Sequence, residues 1–139
     1  MSRQVLTSRA GTWILDLRTT SPRHLGAIRA WVAQHLPGLG STHLDDVLLI
    51  VNELVANAYL HGGGPSHLQL WRGVRPCAVR VEVGDVNDEH LLLTRTGSGD
   101  PALGIRLVDN VCVQWGVQHH HDHDGKTVWA HVACDGFSE

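Results

Sequence analysis

The chain has 139 residues, 42% of them hydrophobic, enough to bury one core and too few for two domains of ordinary size. With 18% charged residues and a formal net charge of -3, it carries neither a polybasic surface for nucleic acid nor an acidic tail. Cys77, Cys112 and Cys134 form no CxxC pair, no secretory segment opens the chain, and no apolar run reaches the roughly 20 residues of a membrane span, so a cytoplasmic, soluble protein is expected.

Residues 1–10 are polar, show no apolar period and are expected to form a flexible N-terminal segment, leaving a single domain over 11–135. Residues 12–18, Thr-Trp-Ile-Leu-Asp-Leu-Arg, read as a strand between Gly11 and a Thr/Ser/Pro cluster. Ser21 then reads as an N-cap with Pro22 at the first helical position, and Leu25, Ile28, Trp31, Val32 and Leu36 recur at helical spacing until Pro37-Gly38. A second helix is predicted from Ser41-Thr42, with Asp45-Asp46 in its first turn, to Gly62-Gly63-Gly64. At about 100° per residue, Val47, Val51, Leu54 and Ala58 share its apolar face, while Asp46, Glu53 and Asn57 cluster on a flank.

Alternation predicts strands at 68–71 and 79–83, joined as a hairpin through a turn at Gly73 to Pro76. Residues 87–100 lose any period and read as a functional loop; a short helix follows through Leu103, Ile105, Leu107, Val108 and Val111. Strands at 113–118 and 126–133, separated by a His/Asp/Gly turn, complete the chain. The order β, α, α, β, β, loop, α, β, β predicts an α/β protein of the two-layer α+β kind: a mixed, mostly antiparallel sheet with helices packed on one face.

Glu53 and Asn57 are four apart and so share one side of their helix. An Asn carbonyl oxygen can complete the oxygen shell of a nucleotide-bound magnesium ion, and a Glu one turn away can take a proton from an attacking hydroxyl. The pair alone reads more readily as a solvated Glu and Asn on an exposed helix flank. Asp85 ends an apolar strand, where a carboxylate can accept a hydrogen bond from an amine such as that of adenine, or can simply begin a turn. Gly104, at a helix start, permits close approach to phosphate or reflects tight packing. His119, His120, His121 and His123 could bind zinc or nickel loosely, although a hairpin tip is polar anyway. The five tryptophans read as core and edge packing.

Taken in order, Asn52-Glu53-Leu54-Val55-Ala56-Asn57-Ala58 with His61-Gly62, Val83-Gly84-Asp85, Leu103-Gly104-Ile105-Arg106-Leu107-Val108-Asp109, Trp115-Gly116-Val117 and Gly125-Lys126-Thr127-Val128-Trp129 resemble the ATP-binding domain of bacterial anti-sigma-factor serine kinases. That family shares the histidine-kinase, gyrase and Hsp90 ATPase fold, and the resemblance covers about three quarters of the chain. It implies ATP and Mg2+ as cofactors, Asn57 as the magnesium ligand, Glu53 as general base for transfer to a protein serine, and Asp85 as the adenine-recognising acid. Thr127 would support the adenine contact, Gly104 would admit the phosphates, and residues 87–103 would form a lid over them. The implied activity is that of a serine/threonine protein kinase that holds a sigma factor inactive and phosphorylates its STAS-type anti-anti-sigma antagonist. A homodimer is also expected, with no direct nucleic-acid or membrane contact. Asn87 and Ala102 stand where the family often has glycine. They support an alternative: a non-catalytic anti-sigma module of the same fold with weak or lost ATP binding.

Overall fold

The computed structural model describes residues 11–61, 63–74, 77–85, 114–120 and 125–133. In chain order these form β1 (Thr12–Asp16), a 3-10 turn (Pro22–His24), α1 (Leu25–His35), α2 (Ser41–His61), β2 (Pro65–Val74), β3 (Cys77–Asp85), β4 (Gln114–His119) and β5 (Lys126–Ala133). The strands make one sheet in the order β1-β2-β3-β5-β4. Every pairing among the described residues is antiparallel, so the parallel component of a mixed sheet is not found there.

Strict alternation gives this sheet two unlike faces. Leu68 and Leu70 of β2 stand opposite Val83 and Val81 of β3, which in turn stand opposite Val128 and Ala130 of β5; Val79 pairs with Val132. All are buried in one cluster with Val47, Ile50, Val51, Leu54, Val55 and Ala58 of α2 and Ile28 and Val32 of α1. Each valine, leucine or isoleucine among them contributes about 1.5–3 kcal/mol when fully withdrawn from water, so α2 is held chiefly by this stripe. The result is a two-layer α+β arrangement with both helices on one side.

The opposite face is polar and aromatic. The Arg80 guanidinium lies 5.6 Å from the Trp71 ring and 4.7 Å from the Trp129 ring, and its Nη2 is 2.9 Å from Glu82 Oε2. The Trp129 indole lies across Gly116, where an added Cβ would come within 2.8 Å of the ring. Trp13, Trp31 and Trp115 pack against the core instead. The tryptophans therefore brace both faces of the sheet.

Several boundaries differ from the sequence expectation for local reasons. The first helix opens with a 3-10 turn after Ser21, whose N–H donates to His24 Nδ1 at 2.9 Å, and becomes α-helical only at Leu25. α2 begins at Ser41, so Asp45 and Asp46 lie beyond its first turn, which carries no acidic residue. Its far end closes as expected: Gly64 N–H donates to Ala58 O at 2.9 Å, with Gly63 and Gly64 at φ 77° and 106°, the left-handed backbone of a glycine C-cap. Gly73, expected in the hairpin turn, still belongs to β2.

Cys77, at the start of β3, is disulfide-bonded, which a reducing cytosol does not favour. Its partner lies outside the described residues. Among the described residues no helix is long and apolar enough to cross a membrane. The expected lid at 87–103 and the helix after Pro101 also lie outside them.

Candidate functional site

α2 carries Glu53 and Asn57 on successive turns, both half-buried beside the apolar stripe. Asn57 Nδ2 donates to the backbone carbonyl of Glu53 at 2.9 Å. A carbonyl accepts only, so this bond fixes which end of the amide is nitrogen and leaves Oδ1 as the end suited to a cation. Burial raises the Glu53 carboxyl above its ordinary range, making it a stronger base than an exposed glutamate. The neighbouring Asn52 serves a different purpose: its Oδ1 accepts from Arg29 Nη1 at 2.7 Å, tying α2 to α1.

Tyr59 fixes the helix from the other side. Thr20 Oγ1 donates to Leu17 O at 2.7 Å, so the 2.6 Å contact with Tyr59 has the tyrosine hydroxyl donating to Thr20. This joins the loop after β1 to the last turns of α2.

Asp85 ends β3, two residues past the buried Val83, and so points toward the helix layer. Its register partners are Pro65, the first residue of β2 after the α2 cap, and Lys126, the first residue of β5. The turn from α2 into β2 therefore delivers the Asn57 end of the helix to the end of the sheet that carries Asp85. Lys126 Nζ lies 2.8 Å from Asp85 Oδ2, and the two side chains are 5% and 4% exposed. Gly125, at φ 117°, supplies the close approach this needs, since a Cβ there would sit 2.6 Å from the Asp85 carbonyl oxygen.

Thr127 lies on the other face. It follows Lys126, stands opposite Gly84, and brings its hydroxyl 3.1 Å from His120 Nε2. The structure thus brings Lys126, not Thr127, to Asp85. The sequence contains the signal that identifies Lys126: it shares parity with Val128, Ala130 and Val132, and a cation opening a core-facing run needs a buried partner. Gly104, Asn87 and Ala102 lie outside the described residues, as do His121 and His123. Among the described residues no three histidine, cysteine or acidic side chains are grouped to hold a metal ion.

A register shift between Pro65 and His67 turns His67 onto the Thr127 face, where it fills the space above Gly84; a Cβ there would lie 2.5 Å from the imidazole. Ser66 Oγ is 3.0 Å from His67 Nδ1. Burial, the largest influence, lowers the His67 pKa below 6.5; Glu82 and Asp16 oppose the shift and His120 adds to it. Because the folded state disfavours the proton, stability is full above about pH 6.5 and falls as pH drops from there toward the lower folded value. His67→Gln is expected to flatten that acid limb in urea melts taken between pH 7 and 5. An unchanged slope would assign the limb to other groups, His131 among them, whose pKa is lowered by burial and by Arg80.

Neither a protein-family model nor a curated protein matches the chain.

Proposed function

We propose that this protein is a cytoplasmic, ATP- and magnesium-binding regulatory protein of the anti-sigma serine kinase type, with the histidine-kinase-like ATPase fold. The observation that supports the reading is that α2, which carries Glu53 and Asn57, leads through its glycine cap into β2, whose first residue Pro65 stands opposite Asp85. In this reading Asn57 Oδ1 holds magnesium, Asp85 accepts from the base, Gly104 admits phosphate, and Glu53 orients or deprotonates a serine hydroxyl on the anti-anti-sigma antagonist. Phosphoryl transfer needs little more from a protein than position and charge neutralisation, and a half-buried carboxyl beside a cation ligand supplies both kinds of group. The partners are a sigma factor and that antagonist, with a homodimer as the assembly. The Cys77 disulfide stands against the cytoplasmic part of the proposal.

One observation favours the second reading, a non-catalytic anti-sigma module with weak or lost ATP binding: the Asp85 carboxylate is already engaged by a buried ammonium. Calorimetric titration with ATP separates the two. Saturable binding that Asp85→Asn abolishes supports the nucleotide site. No heat at millimolar ATP leaves the binding module, and its partner is then sought by pull-down.

A further inference from the structure

Cys77 opens β3 with its side chain exposed, and it is disulfide-bonded. The chain holds three cysteines, so the candidates for its partner are Cys112 and Cys134. Strand order separates them. β3 lies directly against β5, with Ala78 opposite Ala133 and Val79 opposite Val132, and β4 lies beyond β5. One further step along that ladder sets Cys77 against Cys134. Directly opposed residues of an antiparallel pair have Cα atoms about 4.5–5.5 Å apart, inside the roughly 4.4–6.8 Å that a disulfide spans. Cys112 precedes β4, two strand spacings or about 9–10 Å from β3, and that is beyond the span.

We propose that Cys77 and Cys134 form a reversible, dithiol-sensitive clasp across β3 and β5, with Cys112 left as a thiol. This stands independently of the nucleotide reading. Exposure of Cys77 admits an attacking thiolate, and an accessible bridge is the labile kind that follows the redox poise of its surroundings. The thiolate of a dithiol reductant attacks Cys77 Sγ and forms a mixed disulfide there; the bridge bond breaks, and Cys134 leaves as a thiolate that takes a proton. The reductant's second thiol, deprotonated, then displaces Cys77, which is protonated in turn. Two electrons and two protons pass to the protein, and the reductant ends as a disulfide. The clasp secures the end of the sheet on which α2 begins. Just inside it, the Val132 carbonyl lies 3.4 Å from Nε2 of His43, a buried residue in the first turn of α2. Opening the bridge releases a long loop, from residue 77 to 134, in the unfolded chain, and stability falls accordingly.

The test is mass-spectrometric peptide mapping of the full chain alkylated without reductant, followed by exposure of the folded protein to dithiothreitol. A linked Cys77–Cys134 peptide with alkylated Cys112 is the expected result; a linked Cys77–Cys112 peptide, or alkylated Cys77, overturns the inference. Dithiothreitol without denaturant is expected to open the bridge and oxidised glutathione to restore it, with reduction lowering the melting temperature by about 10 °C. Cys134→Ser should melt at the reduced temperature whether or not dithiothreitol is present, and Cys112→Ser should respond as the wild-type protein does. A bridge that opens only in denaturant, or a melting temperature unmoved by reduction, overturns the clasp. The wild-type map and its response to dithiothreitol decide even where Cys134→Ser does not fold.

Discussion

Lys126→Met is expected to lower folding stability by about 3–5 kcal/mol, the largest single effect among the charged residues described here. The substitution removes the ammonium 2.8 Å from Asp85 Oδ2, a carboxylate whose side chain is only 4% exposed. Asp85→Leu with Lys126→Met removes both charges and continues the apolar face begun by Val83 and Val128, so the double variant should recover most of the loss. Urea melts followed by circular dichroism measure all three proteins. A double variant as unstable as the single would mean that the pair has no special partnership and that the position merely tolerates no change of shape.

Under the proposed kinase reading, Glu53→Gln is expected to lose phosphoryl transfer by about 100- to 10,000-fold while keeping its affinity for ATP, the pattern of a general base that contributes in the transition state and little in the ground state. Transfer to the antagonist and ADP release are the rates to follow. The same change should raise the melting temperature at neutral pH. The folded state holds the Glu53 carboxyl above 4.5, so its protonated form is favoured on folding; that contribution is present below 4.5 and is lost as pH rises through the folded value. Glutamine is neutral throughout and avoids the penalty of a half-buried charge. Gain of stability with loss of transfer would mark Glu53 as kept for function. Loss of both would mark it as structural.

Much of this architecture is legible in the chain because apolar periodicity and glycine punctuation report it locally. The α2 boundaries follow from Ser41 and the glycines after His61, and Val79, Val81 and Val83 declare their face by alternation. The sheet order is a different matter: β5 lies between β3 and β4, a choice made by long-range packing of Val128, Ala130 and Val132 that no local pattern encodes. The site shows the same division. Glu53 and Asn57 are visible as a pair because helical spacing is fixed, whereas the Thr127 expectation fails to place its hydroxyl with Asp85 because a single residue of parity moves a strand side chain to the other face. Parity marks Lys126 as core-facing, but the partner that explains its burial appears only in the register that sets it opposite Asp85.

If Asn57 and Asp85 bound one nucleotide site, ATP binding must depend on Asp85 and gain from magnesium through Asn57. ATP affinity is to be measured by calorimetry with and without magnesium in the wild-type protein, in Asn57→Ala and in Asp85→Asn. Magnesium is expected to tighten ATP binding to the wild-type protein by about tenfold or more, Asn57→Ala to retain weak binding without this gain, and Asp85→Asn to lose binding in both conditions. Equal magnesium-dependent binding in all three proteins would contradict it, by placing the nucleotide elsewhere on the molecule.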